Sequence, residues 1–175
     1  MRDPVEIRKA TADDLDELVA LWAHYIRVHR NNPAYQLCKG DGLDQRRQLF
    51  AKHVQGPESC VFVAARPDGG LDGMISCFVE KNTPYFLPPH YGRIQTPFVR
   101  PEARNRGYLK RLLGAAYRWA RELELTEVRL FTSALDPVTN RLSEEFGFEA
   151  FEIVRRRPIE WDYPQGRTPF DERDT

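Results

Sequence analysis

The chain has 175 residues, 41% apolar and 30% charged, which is the length of one domain and a composition able to bury a core. Its 26 lysines and arginines balance 26 aspartates and glutamates, so it lacks the basic excess of a dedicated nucleic-acid or membrane-surface binder. Three cysteines without a CxxC spacing and four histidines without metal-ligand spacing argue against a disulfide framework and against a metal site.

No apolar run approaches the roughly 20 residues of a membrane span, and Met1-Arg2-Asp3-Pro4 does not begin a secretory signal. A reducing cytoplasm is the expected location, with Cys60 and Cys77 as buried thiols.

In chain order, residues 5–9 alternate Val5 and Ile7 with Glu6 and Arg8, the period of a half-buried strand. Thr11 reads as an N-cap with Asp13 and Asp14 in the first turn. Leu15, Leu18, Val19, Trp22 and Ile26 then form one helical stripe to about His29, ended by Asn31-Asn32-Pro33. A loop over 31–42 carries Tyr35, Leu37 and Cys38, and a second helix follows over 43–53, with Leu49, Phe50 and Val54 as its buried candidates. Gly56-Pro57 closes it.

Residues 60–65 and 71–79 are apolar runs joined by Asp68-Gly69-Gly70, a hairpin signal because glycine tolerates positive φ. The proline-rich stretch 83–92, with Tyr85, Phe86 and Tyr91, is too apolar for a plain linker. It reads as a loop packed on the core, or as a wall or lid of a pocket. Residues 93–99 form the central strand, and Pro97, which has no N–H for the ladder, predicts an edge or a bulge there.

From Gly107 a helix carries Leu109, Leu112, Leu113, Ala116 and Ala120 on one face, with Leu123 near its end. A buried strand over 127–134 comes next, so the strand-helix-strand unit is a right-handed parallel crossover. Asp136-Pro137 opens a short helix to Phe146, with Gly147 as its C-cap. Residues 148–155 alternate like a strand, 158–161 suit a last one, and the polar tail 163–175 is expected to fray or to wrap a neighbour, so that a homodimer is an open expectation. The domain would then be 1–162.

The chemistry concentrates between the central strand and the third long helix, in Val99-Arg100-Pro101-Glu102-Ala103-Arg104-Asn105-Arg106-Gly107-Tyr108-Leu109-Lys110. The first amides of a helix have no intrahelical acceptor, and the helix dipole adds positive potential there. Gly107 lets the backbone approach a bound group, and Arg104 and Arg106 offer forked cations suited to phosphate. The natural occupant is a pyrophosphate.

This segment resembles the acyl-CoA-binding motif of the GNAT N-acetyltransferase superfamily, Arg/Gln-x-x-Gly-x-Gly/Ala after a strand ending in Val-x-Pro. Val99, Pro101, Arg104 and Gly107 match, whereas Leu109 replaces a small residue. The order of elements along the whole chain and the Phe146-Gly147-Phe148 junction are similar to that family too. The resemblance implies a mixed α/β (α+β) fold. Its central, mostly antiparallel mixed sheet would be splayed between strands 4 and 5 and flanked by helices.

It also implies acetyl-CoA, or another acyl-CoA, as co-substrate without a metal, and a small-molecule or peptide amine as acceptor. Arg104, Asn105, Arg106, Gly107, Tyr108, Leu109 and Lys110 would hold the pyrophosphate, and the main chain of Phe98 and Val99 would pair with the pantetheine arm. An amide there, assigned to Val99, would hydrogen-bond the thioester oxygen. Gln95 stands at the family's glutamate position, Ser143 at its tyrosine position and Asp136 at its asparagine position. An amide cannot accept a proton, and a serine is a weak acid of short reach. His90, Tyr91, Tyr108 and Glu80 are further proton-relay candidates. The expected activity is acyl-CoA-dependent N-acylation by direct attack; the alternative is a GNAT-like acyl-CoA binder without catalysis.

Overall fold

Five strands, β1 (Glu6–Lys9), β2 (Ser59–Ala65), β3 (Leu71–Lys81), β4 (His90–Val99) and β5 (Val128–Leu130), lie side by side in chain order in the computed structural model, which describes residues 5–29 and 41–155. The first four are antiparallel, and β5 runs parallel to β4. The mixed, mostly antiparallel sheet is the expected one. The terminator at Asn31–Pro33, the loop apolar residues Tyr35, Leu37 and Cys38, a strand over 158–161 and the tail 163–175 lie outside the described residues.

Helix α1 (Leu15–Val28) is entered through a turn of 3-10 helix, Ala12–Asp14. Asp14, the buried carboxylate of that turn, accepts from the Thr11 amide at 2.7 Å and from Arg8 Nη1 at 2.7 Å. Helix α2 (Gly42–Gln55) packs beside α1. The β2–β3 hairpin turns at Gly69, whose φ of 86° is a conformation that glycine adopts without strain.

Alternation along the strands sends side chains to two cores. Cys60, Phe62, Ala64, Ile75, Cys77 and Ile94 meet Leu112, Leu113, Ala116, Trp119 and Ala120 of α3 (Tyr108–Glu122) on one face. Val61, Val63, Leu71, Met74 and Phe98 meet Leu18 and Leu21 of α1 and Phe50 of α2 on the other. Each such fully buried Leu, Ile or Phe contributes about 1.5–3 kcal/mol relative to exposure. Cys60 and Cys77 are buried free thiols facing one another across β2 and β3.

Three expectations are corrected. The strand expected over 127–134 is only Val128–Leu130 and half-buried, with Phe131 turned 49% to solvent. Residues 148–155 form no strand, and Phe151, Ile153 and Val154 are exposed; alternation alone supplies no partner for a ladder. Of the 83–92 stretch, residues 83–89 do not pack on the core: β4 already begins at His90 and buries Tyr91, whereas Tyr85, Phe86 and Leu87 are exposed. Phe86 and Leu87 instead line a cleft of about 400 Å³ with Tyr91, Arg129 and Phe151.

Candidate active site

A regular strand would put Ile94 and Phe98, four residues apart, on one face; here they belong to opposite cores. The cause is an extra residue in β4. Opposite Ser76 and Met74 of β3 stand Gln95 and Phe98, so two steps on β3 face three on β4. Thr96 sits in this bulge at φ 54°, a left-handed conformation costly for a β-branched residue. Pro97 follows it, as its missing donor leads one to expect.

Parallel pairing of β4 with β5 covers only Gly92–Val128, Arg93–Arg129 and Ile94–Leu130. Past Ile94 the strands part, and the β5-facing edge of β4 from Gln95 to Val99 has no strand partner among the described residues. Gln95 is half-buried, and Phe98 and Val99 are buried at the far end of this opening.

Polar side chains of α2 support the bulge from the α1/α2 face. Buried Arg46 donates from Nη2 to Thr96 Oγ1 at 3.2 Å, with its guanidinium 4.3 Å from the Phe50 ring centroid and 5.4 Å from that of Trp22. One helical turn beyond Phe50, His53 Nδ1 lies 2.8 Å from Ser76 Oγ, and Ser76 is the cross-strand neighbour of Gln95. Burial, reinforced by the charges of Arg46 and Lys52, lowers the His53 imidazole to about 4. Arg46 and His53 escape a reading of the sequence because only Phe50 on that stripe is apolar. The spacing 46, 50, 53 is nonetheless that of one helix face.

Beyond Val99 the chain makes a 3-10 turn, Pro101–Ala103, passes Asn105 at φ 60° and Gly107 at φ 77°, and enters α3. Among the described residues, the amides of Asn105, Arg106, Gly107, Tyr108, Leu109 and Lys110 meet no hydrogen-bond acceptor. These amides belong to one exposed loop and the first turn of a 15-residue helix. Arg104 Nε donates to the Val99 carbonyl at 3.3 Å, and Arg106 Nη2 donates to the Glu102 carbonyl at 3.1 Å. Lys110 is exposed. Leu109, which stands where the family motif has a small residue, is half-buried and packs with Tyr108 against the α3 core.

After β5, α4 (Pro137–Glu145) is capped by Asp136, whose carboxylate accepts from Thr139 N at 3.0 Å and Thr139 Oγ1 at 2.6 Å. His29, a residue that sequence reasoning left unassigned, approaches Asp136 Oδ2 to 3.5 Å. Ser143 Oγ donates to the Thr139 carbonyl at 2.8 Å. Glu80 is paired with Arg93 at 2.9 Å, and the Tyr91 phenol beside it is pushed up by burial and by Glu80. His90 is exposed at the opposite end of β4 from the loop. No cluster able to hold a metal ion occurs among the described residues. Nor is any helix there long and apolar enough to cross a membrane.

The family model described as "Acetyltransferase (GNAT) family" matches residues 19–148. Among solved structures, a tetramutant of the BH1408 protein from Bacillus halodurans superposes with a TM-score of 0.74 at 16% identity, over 88% of this chain and 99% of the other. The aminoglycoside N-acetyltransferase AAC(6')-Iy in complex with CoA gives 0.70 at 19% identity, over 90% and 95%. A predicted acetyltransferase from Clostridium acetobutylicum with acetyl-CoA gives 0.72 at 15% identity, over 89% and 96%. At these identities the likeness is one of fold. No curated protein sequence matches the chain.

Proposed function

Since the chain belongs to the acetyltransferase (GNAT) family, we propose that it transfers an acetyl group from acetyl-CoA to a primary amine by direct attack, both substrates being bound together. The observation that carries this reading is the row of unengaged amides from Asn105 to Lys110, set at the positive end of α3 beside the parted edge of β4. An anion of two phosphates fits such a row, because oriented amides and the helix dipole both favour negative charge. Arg104 and Arg106 add cations once they release the Val99 and Glu102 carbonyls.

The parted edge of β4 suits the pantetheine arm. Its amides pair with the main chain at Phe98 and Val99 as a short added strand once Arg104 releases the Val99 carbonyl, and Asp136 approaches the arm from the start of α4. A Val99 amide aimed at the thioester oxygen stabilises the developing oxyanion by a few kcal/mol. Gln95 orients a water towards the amine, and Ser143 must leave the Thr139 carbonyl before it can donate to the departing thiolate. An amine with pKa about 10.4 arrives protonated and must lose that proton before it attacks.

AAC(6')-Iy is an aminoglycoside N-acetyltransferase, which makes small polyamine-like molecules the first acceptors to test. Titration calorimetry with acetyl-CoA, then thiol release with a panel of small-molecule and peptide amines, decides the matter. The expected result is saturable binding and turnover with at least one amine. A second reading, acyl-CoA binding without catalysis, is favoured by the amide at Gln95 and by the engaged Ser143 hydroxyl. Binding without turnover across the panel would establish it.

A further inference from the structure

Acetyl transfer to an amine releases a proton, and neither Gln95, which has no basic site, nor Ser143, whose hydroxyl is spent on Thr139, can take it. A titratable pair does stand at the mouth of the opening. His29 is the C-cap residue of α1, and its Nδ1 lies 3.5 Å from Asp136 Oδ2 at the start of α4. Helix α1 packs on the β4 side, with Tyr25 and His24 against Phe98 at ring-centroid distances of 5.6 and 5.7 Å. Helix α4 follows β5. The His29–Asp136 link therefore joins the helix packed on Phe98 of β4 to the helix that follows β5 in the chain.

Arg104 closes the group. Its Nε holds the Val99 carbonyl, and its charge is near enough to act on His29. Imidazole and carboxylate, from the ends of two separate helices, thus meet near Arg104, which holds the last carbonyl of β4 where the acyl group is to react. We propose that His29 is the general base that removes the amine proton, with Asp136 as the positioning residue that orients its imidazole. The assignment rests on the acetyl-transfer reading above.

Asp136 is well suited to that part. Burial works against its charge, but the Thr139 hydroxyl and amide together with His29 outweigh it and keep the carboxyl below its ordinary range. A carboxylate only accepts, so with Asp136 facing Nδ1 at 3.5 Å the tautomer that serves as base is the one with its proton on Nδ1 and its lone pair on Nε2. Burial and the Arg104 charge depress His29, against the pull of Asp136, which favours the neutral ring that a base needs. On its own helix His29 lies against the Tyr25 ring at 4.6 Å. In the step, Nε2 first takes a proton from the ammonium and passes it to solvent; the freed lone pair then forms the C–N bond, and Nε2 takes the second N–H proton from the tetrahedral adduct. The C–S bond then breaks with its electron pair on sulfur, and the CoA thiolate is protonated by the imidazolium or by water.

The test compares His29→Gln, His29→Ala and Asp136→Asn with the wild-type protein, in acetyl-CoA calorimetry and in kcat/KM against pH. His29→Gln should bind acetyl-CoA normally, lose about 100-fold or more in kcat/KM, and lose the acid limb of the wild-type profile. Imidazole added to the assay should restore part of the His29→Ala rate. Asp136→Asn keeps an N-cap, removes the charge that raises His29, and should move the acid limb to lower pH. A His29→Gln rate within about three-fold of wild type, or an unchanged acid limb, overturns the assignment while acetyl transfer itself stands. Wild-type protein that binds acetyl-CoA yet turns over no amine overturns it too, and absence of acetyl-CoA binding removes the underlying reading with it.

Discussion

Arg46 and Thr96, 50 residues apart in the chain, are joined by a 3.2 Å hydrogen bond in the interior, and the threonine it holds is the one at φ 54° in the β4 bulge. A left-handed β-branched residue costs on the order of 1–3 kcal/mol and persists only where its surroundings enforce it. Arg46 is that enforcement from α2. Arg46→Met keeps the stem against Trp22 and Phe50 but removes the donor to Thr96. It should lower stability by about 2 kcal/mol in urea unfolding and depress acetyl transfer as the bulge relaxes. Adding Thr96→Gly should recover part of the stability, since glycine takes that φ freely. A fully stable, fully active Arg46→Met protein would show that the bulge needs no such brace.

The close of the β3–β4 ladder is equally intolerant. A Cβ on Gly73 would stand 2.8 Å from the Phe98 carbonyl oxygen and 3.2 Å from both Leu112 Cδ1 and Val99 Cγ2. The nearest atom is backbone and cannot swing aside. Gly73→Ala should cost about 2 kcal/mol, read by thermal unfolding, and weaken acetyl-CoA binding by displacing Phe98 and Val99.

At Gly107 the constraint is different. Among the described residues, no atom beyond its two chain neighbours lies within 4 Å of where a Cβ would stand, so space is free, but φ is 77°. Gly107→Ala is expected to lose about 1 kcal/mol through backbone strain alone, with a larger effect on acetyl-CoA affinity than on the unfolding midpoint. Arg104→Ala, by contrast, should leave stability nearly unchanged. It should weaken acetyl-CoA binding about ten-fold and flatten its dependence on salt.

Stability should depend on pH through His53. Its folded value of about 4 lies below the ordinary 6.5, so between those values the unfolded chain binds a proton that the folded chain refuses. The contribution is therefore complete above pH 6.5 and is lost as pH falls towards 4, amounting to about 3 kcal/mol. Urea midpoints measured across that window should fall for the wild type and fall less for His53→Gln. Parallel curves would mean that His53 is not the titrating group.

Much of this molecule is legible as local pattern. The Asp68–Gly70 turn, the Gly107 helix start, the Asp136 cap and the Pro97 irregularity each follow from what one residue's backbone or side chain permits. The misread segments share one cause. Residues 127–134 and 148–155 have strand periodicity, but a strand exists only where a neighbour offers hydrogen bonds, and that is a non-local fact. Likewise the aromatics at 85 and 86 have composition suited to a core, but burial depends on what the rest of the chain leaves uncovered.

The sequence alone determined the order of elements, the apolar stripe of α3 and the phosphate-loop candidate, because short-range sterics and hydrophobic periodicity write those directly into neighbouring residues. Only the tertiary structure decided that Arg46 and His53 brace the bulge and that His29 meets Asp136. Those contacts join residues tens of positions apart, and their energy depends on burial and distance, which no stretch of sequence carries by itself.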